Sequence, residues 1–505
     1  MIRITVNNHE HEVSRHDTIL GALEEIGIKV PTLCHLKGLT PSGACRMCVV
    51  EMEDTGNLVP SCAWPLTDGL RIKTHSGKVL TARKTIVELL LSNHPDDCLY
   101  CRRRTDCELL GLASSLGVDG RGVKGRVATG AKDLANPAII RDPSKCILCG
   151  RCVRVCEEVQ GVSAIDFIGR GAATIVGTAF NESLNIGSCV NCGQCVRVCP
   201  TGALMENPQI SRVLEALADP GKVVVAQHAP AVSVTVGELW GSKPGEDLQG
   251  VMTSALRQMG FDRVFDTSFA ADLTIMEEAS ELVHRIRSGG QLPMMTSCSP
   301  GWVKFVEQCY PEFIGGLSSC KSPQQMLGAM VKSYWAETEG IDPKDIFHVA
   351  IMPCTAKKYE AARPEMVTGA HADIDAVLTT RELHDMLRMS GIDMEKVTPE
   401  PGDNPFGQRS SAGKLFGATG GVMEAALRTA HYMLTGENMA RPIVTEVREL
   451  QGVKEASLEI AGLTLKVAVA HGLKNAARVL DEVRQGRELH FLEVMTCPGG
   501  CIGGG

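Results

Sequence analysis

Two stretches, CILCGRCVRVC at residues 146–156 and CVNCGQCVRVCP at residues 189–200, repeat one spacing of cysteines, C-x2-C-x2-C-x3-C. The first run holds Cys146, Cys149, Cys152 and Cys156. The second holds Cys189, Cys192, Cys195 and Cys199, followed by Pro200 where the first run has Glu157. Thiols this dense force the chain to bend tightly and turn its sulfurs to one side, as soft-ligand metal sites require. No other internal repeat is present. Outward from these runs, the chain of 505 residues carries 21 cysteines, an odd number. The opening MIRITVNNHE has neither a basic n-region nor an apolar h-region, so no export signal is visible and a cytoplasmic location is expected. In that setting close cysteine spacing reads as metal ligation rather than disulfides.

The repeated spacing is similar to that of bacterial two-cluster ferredoxins, in which the fourth cysteine of each run ligates the other run's cluster. The similarity implies one [4Fe–4S] cluster on Cys146, Cys149, Cys152 and Cys199 and a second on Cys189, Cys192, Cys195 and Cys156. Upstream, Cys34, Cys45, Cys48 and Cys62 are spaced C-x10-C-x2-C-x13-C, with Gly38 and Gly43 around the close pair. Four such thiolates suit a [2Fe–2S] centre or a zinc ribbon. His94, Cys98, Cys101 and Cys107 form a third group that suits zinc or a [4Fe–4S] cluster. The long unequal spacers of the first group, and the order of the two, resemble the [2Fe–2S] domain and His-ligated cluster shared by complex I and iron hydrogenases. Fifteen cysteines and one histidine thus account for four clusters. These modules conduct electrons; bond-changing chemistry needs another site.

Length corresponds to three or four domains at about 150 residues each. Hydrophobic content of 44% and charged content of 22% exclude wholesale disorder. No apolar run approaches the roughly 20 residues of a membrane span. The net charge of −8 argues against a nucleic-acid platform. Residues 2–6 alternate like a strand, Asn7-Asn8 suits a hairpin turn, and Asp17-Thr18 suits the cap of a helix over 19–26. Residues 76–95 have helical periodicity, and 111–140 read as loop and connector. From about residue 220 strands and helices alternate: strands at 222–226, 261–266, 346–352 and 489–495, with a helix at 272–287.

Three apolar stretches of the C-terminal half end at cysteines: 291–295 into Thr296-Ser297-Cys298-Ser299-Pro300, 348–352 into Pro353-Cys354, and 491–495 into Thr496-Cys497, with Cys501 beyond. In α/β sheets ligands bind past the carboxyl ends of strands, so distant cysteines can share one site. The bland reading makes them small buried hydrophobes. That reading is preferred for Cys309 and Cys320, in or beside helical segments. It suits Cys354, Cys497 and Cys501 poorly, because Gly499, Gly500 and residues 503–505 give the last pair bare backbone for close approach.

The motifs TSCSPGW (296–302), MPCTAKKYE (352–360) and EVMTCPGGCIGGG (493–505), with FDTSFAADLTIMEE (265–278) and FGATGGVMEAALR (416–428), closely resemble [FeFe]-hydrogenases. The resemblance spans nearly the whole chain and points to the multi-cluster type, such as clostridial hydrogenases and the catalytic subunits of NAD(P)-reducing hydrogenases. It implies an H-cluster: a [4Fe–4S] cubane joined through a cysteine to a two-iron unit bearing carbon monoxide, cyanide and a bridging dithiolate amine. Cys354, Cys497 and Cys501 match cubane ligands, Cys501 the bridging one. Lys357 matches a lysine beside a cyanide, otherwise a strand-end surface lysine. Met352 and Met495 match residues packed on the two-iron unit, otherwise core fillers. Cys298, Glu278, Glu281, Ser318 and Arg285 match the proton path. By spacing alone Glu278, Glu281 and Arg285 are a row on one helix face, ordinarily a solvated one.

One position departs from the family. The first motif usually reads TSCCPxW, and Ser299 stands at its second cysteine, a cubane ligand. Either Ser299 ligates as an alkoxide, or a backbone adjustment lets Cys298 ligate while a hydroxyl relays protons, or the site is inactive. The sequence stops at Gly505, where relatives continue with Gln-Pro and a helical segment. A truncated record, with the site open to water and weakly anchored, is the expectation.

The fold expected is a multidomain α+β chain: a β-grasp [2Fe–2S] domain over 1–77, a His/Cys cluster domain over 78–135, a two-cluster ferredoxin-like domain over 136–212 and a large α/β catalytic domain over 213–505. The activity implied is 2H⁺ + 2e⁻ ⇌ H₂. One [2Fe–2S] and three accessory [4Fe–4S] clusters would relay electrons to ferredoxin or a flavin-containing NAD(P)-reducing subunit, and maturation enzymes would build the two-iron unit. Two rivals are an electron-transfer subunit of a complex I-like or formate dehydrogenase assembly, and a non-catalytic relative that senses H₂ or assembles clusters.

Overall fold

In the computed structural model the described residues are 1–120, 122–125, 127, 130–439, 452–460 and 462–504. The chain begins with a five-stranded mixed sheet in the spatial order His9–Val13, Ile2–Val6, Leu70–Lys73, Val49–Met52, Leu58–Pro60. Asn7 and Asn8 turn the first hairpin with φ of 52° and 71°. Two left-handed residues are what the twist of a two-residue hairpin demands, and asparagine tolerates them. The helix Ile19–Glu25 starts at Thr18, whose hydroxyl accepts from the Gly21 amide at 3.4 Å. It buries Ile19 and Leu23 among Ile4, Val6, Val13 and Ile72. Each such side chain stabilises the unit by about 1.5–3 kcal/mol.

A helix at Gly77–Asn93, capped by Ser76, leads into the second cysteine group. The segment 111–140 is not all connector. The helix Glu108–Ser115 runs into its start and the strand Ile139–Arg141 forms at its end. Leu109, Ala113 and half-buried Leu116 make a short stripe against Val87 and Met47. Gly111, with its weak helix preference, obscures that period in the sequence.

Both repeated cysteine runs fold alike. Leu148 (φ 55°) and Asn191 (φ 61°) take left-handed conformations, as do Gly150 (φ 71°) and Gly193 (φ 73°) two residues later. The helices Arg151–Arg154 and Gln194–Val198 follow at once. A left-handed leucine is sterically unfavourable, so its placement inside a cysteine loop marks a backbone shaped by what the sulfurs hold.

The C-terminal half contains two four-stranded sheets. One is all parallel, in the order Arg263–Asp266, Val223–His228, Ile346–Ile351, Ala376–Leu378. The other runs Met294–Met295, Phe491–Met495, Leu463–His471, Val453–Ile460, the last pairing antiparallel. The stretch expected as a strand over 291–295 pairs only at Met294–Met295, because Pro293 has no N–H to give a ladder. The long helix Ser268–Ser288 packs beside the helices Gly421–Thr435 and Pro323–Met330.

Cys309 is exposed rather than buried. The helix Pro300–Cys309 ends there, and Tyr310 takes the buried place beyond Trp302, Phe305 and Val306. All 21 cysteines are free of disulfides. Among the described residues no helix is long and apolar enough to cross a membrane.

Candidate active site

The carboxyl ends of Val223–His228, Met294–Met295, Ile346–Ile351 and Phe491–Met495 open on one cavity. Cys298, Ser299, Met352, Cys354, Lys357, Met495, Cys497 and Cys501 all line it. Three loops distant in sequence therefore present their cysteines to one space. The turn 497–501 reaches it because its backbone is bare. Gly500 has φ 94°, and a β-carbon there would stand 2.7 Å from the Gly417 carbonyl oxygen. The last described residues are held firmly, contrary to the weak anchoring expected. The Gly503 carbonyl accepts from Gln194 Nε2 at 2.9 Å and Arg197 Nη1 at 3.3 Å. Burial pushes the thiols of Cys354 and Cys497 up and that of Cys501 up to about 12, so they ionise only against a positive charge in the cavity.

Lys357, on the helix Ala356–Ala361, donates to the Cys298 carbonyl at 3.0 Å and to Glu360 at 2.9 Å. Glu360 also accepts from Ser322 at 2.9 Å and from the Gln324 amide at 3.2 Å. The other end of the Gln324 amide is buried with no partner among the described residues. Gln324 lines the cavity, so the wall offers the Lys357 cation and an amide whose oxygen is unpartnered. Glu360 and Gln324 were missed in the sequence reading. Glu360 is the last residue of MPCTAKKYE, three beyond Lys357, which was the available signal; Gln324 carried none.

The helix Ser268–Ser288 carries Glu278, Glu281 and Arg285 as a row, but not a solvated one. Glu278 is fully buried, and neither of its oxygens has an ordinary hydrogen bond. Burial pushes its carboxyl up to about 8, although the Ser318 hydroxyl and the Ser297 amide facing it pull the other way. Glu281 accepts from Ser318 at 3.3 Å, from the Ser319 amide and hydroxyl at 3.1 Å each, and from Arg285 at 2.5 Å. Arg285 Nη2 also donates to the Leu317 carbonyl at 2.9 Å. The Cys298 thiol is pushed well up by burial and, secondarily, by Glu278 beside it. Hydrogen bonds thus join Ser318, Glu281 and Arg285, while Glu278 lies between Ser318 and Cys298 without one among the described residues.

The repeated runs form two cradles. Cys146, Cys149, Cys152 and Cys199 line one small cavity. Cys156, Cys189, Cys192 and Cys195 line another. Backbone amides aim at the sulfurs: Leu148 N–H at Cys146 (3.4 Å), Ala164 at Cys156 (3.3 Å) and Asn191 at Cys189 (3.4 Å). Such donors favour thiolate over thiol. Cys192 lines the second cradle and the large cavity alike, and Gln194 Nε2 lies 3.2 Å from Cys497 Sγ.

In the N-terminal group Cys34 contacts Cys45 and Cys62, and Cys62 contacts Cys48. His94 is buried with Nδ1 3.0 Å from the Pro95 carbonyl, while Cys98 and Cys107 both feel the charge of Cys101. A β-carbon on Gly202 would stand 3.0 Å from Cys101 Sγ, which puts this group beside the Cys199 loop. Cys45, Cys107 and Ile147 pack on one apolar cluster, so the groups adjoin in series. Among the described residues no three His, Cys, Asp or Glu side chains are grouped closely enough to hold a single metal ion.

Residues 222–505 match the family described as iron only hydrogenase large subunit, C-terminal domain. Residues 1–77 match a 2Fe-2S iron-sulfur cluster binding domain, 83–121 the iron-sulfur binding region of NADH-ubiquinone oxidoreductase-G, and 136–205 the ferredoxin-like domain of NADH-quinone oxidoreductase subunit 3. Over its full length the chain is 46% identical to the NADP-reducing hydrogenase subunit HndD of Solidesulfovibrio fructosivorans and covers 88% of it. It is 41% identical to iron hydrogenase 1 of Clostridium pasteurianum, again over the full chain and 88% of the relative. A solved apo variant of an [FeFe]-hydrogenase from Chlamydomonas reinhardtii is similar at 43% identity and a TM-score of 0.53, over 59% of this chain and 84% of that one.

Proposed function

The chain belongs to the iron-only hydrogenase family and carries accessory iron–sulfur domains, and from that premise we propose that it interconverts H₂ with two protons and two electrons in the large cavity. The observation that carries this is the meeting of Cys354, Cys497, Cys501, Cys298 and Lys357 on one space that also touches Cys192 of the ferredoxin-like unit. When bound, an H-cluster supplies the metal chemistry at which H₂ is split or formed. Cys354, Cys497 and Cys501 would hold its cubane, Cys501 shared with the two-iron unit. Lys357, fixed by Glu360, sets a cation against anionic ligands, and Met352 and Met495 form an apolar wall that excludes water.

Protons travel on the chain's own groups. The Cys298 thiol exchanges with the carboxyl of Glu278, which burial keeps protonated near neutrality. Ser318 passes the proton to Glu281, and Arg285 holds Glu281 in place near the surface. Cys156, Cys189, Cys192 and Cys195 would hold the accessory [4Fe–4S] cluster next to the cavity, and Cys146, Cys149, Cys152 and Cys199 the one beyond it. The His94 group would hold a third and the Cys34 group a [2Fe–2S] cluster, and together they would supply an electron path between the cavity and the N-terminal unit. The match to an NADP-reducing hydrogenase subunit supports a flavin-containing NAD(P)-reducing partner, with ferredoxin as the other acceptor. The two-iron unit calls for dedicated maturation enzymes. H₂-driven reduction of a viologen dye by the matured full chain tests the reading: turnover is expected in the wild type and none in Cys501→Ala. A matured wild type without H₂-dependent dye reduction overturns it.

A further inference from the structure

Ser299 stands at the N-cap of the helix Pro300–Cys309 with extended backbone, φ −104° and ψ 101°, the place where a serine ordinarily bonds an amide of the first turn. It makes no such bond. Its hydroxyl lies instead 2.7 Å from the hydroxyl of Thr496, the residue before Cys497, and Ser299 and Thr496 both line the cavity. The approach is fixed from behind. A β-carbon on Gly301 would stand 3.1 Å from the Thr496 methyl and 3.2 Å from the Val190 carbonyl, so bare backbone lets this helix start lie against the 496–497 turn. The Trp302 indole N–H donates back to the Thr296 carbonyl at 3.1 Å and so holds the 296–302 segment itself.

Cys298 lines the cavity on the side of Cys501 and the long helix. Its carbonyl takes Lys357, its thiol sits by Glu278, and it packs with Ile275, Phe416, Met495 and Cys501. The two adjacent residues are thus divided, one towards the proton path and one towards the Cys497 end of the cavity. From this division, and resting on the reading that the cavity holds a cubane, we infer that the Ser299 oxygen is the fourth cubane ligand, that the Thr496 hydroxyl donates a hydrogen bond to it, and that Cys298 stays unligated as a proton carrier. Serine gives its proton to solvent as the iron binds, so one O–H bond breaks as one Fe–O bond forms and no electron moves. A hard alkoxide favours ferric over ferrous iron more than a thiolate does, which lowers the cubane's potential. The Thr496 bond partly offsets that by spreading the oxygen's charge.

The test uses the full chain reconstituted with iron and sulfide, without the two-iron unit, and reads iron per chain and the potential of the cavity cluster by electron paramagnetic resonance titration. Ser299→Ala is expected to lose four irons per chain. Ser299→Cys is expected to keep them and move the cavity cluster to a higher potential. Thr496→Val is expected to move it lower in the wild type and less so beside Ser299→Cys. Cys298→Ala is expected to change neither iron content nor potential. Loss of the four irons in Cys298→Ala, or an unchanged potential in Ser299→Cys, overturns the ligand assignment alone. A wild type that binds iron only in the accessory cradles overturns the cubane reading along with it.

Discussion

Glu278 gains its properties from burial rather than from any partner. A carboxyl raised from 4.5 to about 8 keeps its proton in the fold where a free one would lose it. The folded state therefore binds more protons between those values, so stability falls as pH rises through that window. Glu278→Gln removes this dependence: its melting temperature is expected to gain on the wild type as pH rises above 5, levelling off above about pH 8. The same substitution removes the relay's acid, and H₂ production is expected to fall about 10²–10⁴-fold. The wild-type rate should decline through pH 8 and the residual rate of the variant should not; stopped-flow kinetics across pH 6–9 checks this. Glu360 illustrates the opposite case, a buried ion pair. Glu360→Ala leaves Lys357 buried without its carboxylate and is expected to destabilise the chain by about 3–5 kcal/mol, measured by thermal melting. What the sequence disclosed at this scale were the local patterns. The cysteine spacings and the i, i+3, i+7 row are short-range; the i, i+3 pairing of Lys357 with Glu360 is short-range too but was not read from it. Thr496 and Gln324 acquire their roles only through contacts with Ser299 and Glu360, and no local pattern announces those.

Among elements, the repeated cysteine runs are where sequence and structure agree most directly, because a tight loop around sulfurs leaves one backbone path. The left-handed residues at 148, 150, 191 and 193 repeat that path twice. The strand-end cysteines were legible for a related reason: apolar strands running into Cys354 and Cys497 place both at one edge of their sheets. The helix Glu108–Ser115 and the exposure of Cys309 were not legible, since one depends on packing against another domain and the other on where a helix stops. Gly193 ties the ferredoxin-like unit to the catalytic lobe. Its β-carbon would stand 2.4 Å from Thr355 Oγ1, whose hydroxyl bonds the Asn191 carbonyl at 2.7 Å. Gly193→Ala is expected to lower the melting temperature and slow electron transfer out of the cavity. Both effects should be partly rescued by Thr355→Ala, which removes the hydroxyl at 2.4 Å and the methyl at 3.0 Å that the new β-carbon would meet.

Across the whole molecule, hydrogen bonds stitch each cysteine group to the next. Arg154 donates to the Cys34 carbonyl at 2.6 Å, the Glu108 amide to the Pro200 carbonyl at 3.0 Å, and Gln160 to the Thr496 carbonyl at 3.1 Å. A series of cofactors fixed by such bonds should fail in part when one link is removed. Cys48→Ala is expected to retain H₂-driven reduction of small dyes, which can take electrons elsewhere along the series, while losing reduction of a protein acceptor that docks at the N-terminal unit. Parallel assays with a viologen and with ferredoxin check this. The whole scheme depends on what the large cavity holds, and infrared spectroscopy of the matured full chain reads that directly. Stretching bands of iron-bound carbon monoxide and cyanide, present in the wild type and absent in Cys501→Ala, are the predicted result; a spectrum without them, from protein whose accessory cradles are full of iron, would contradict it.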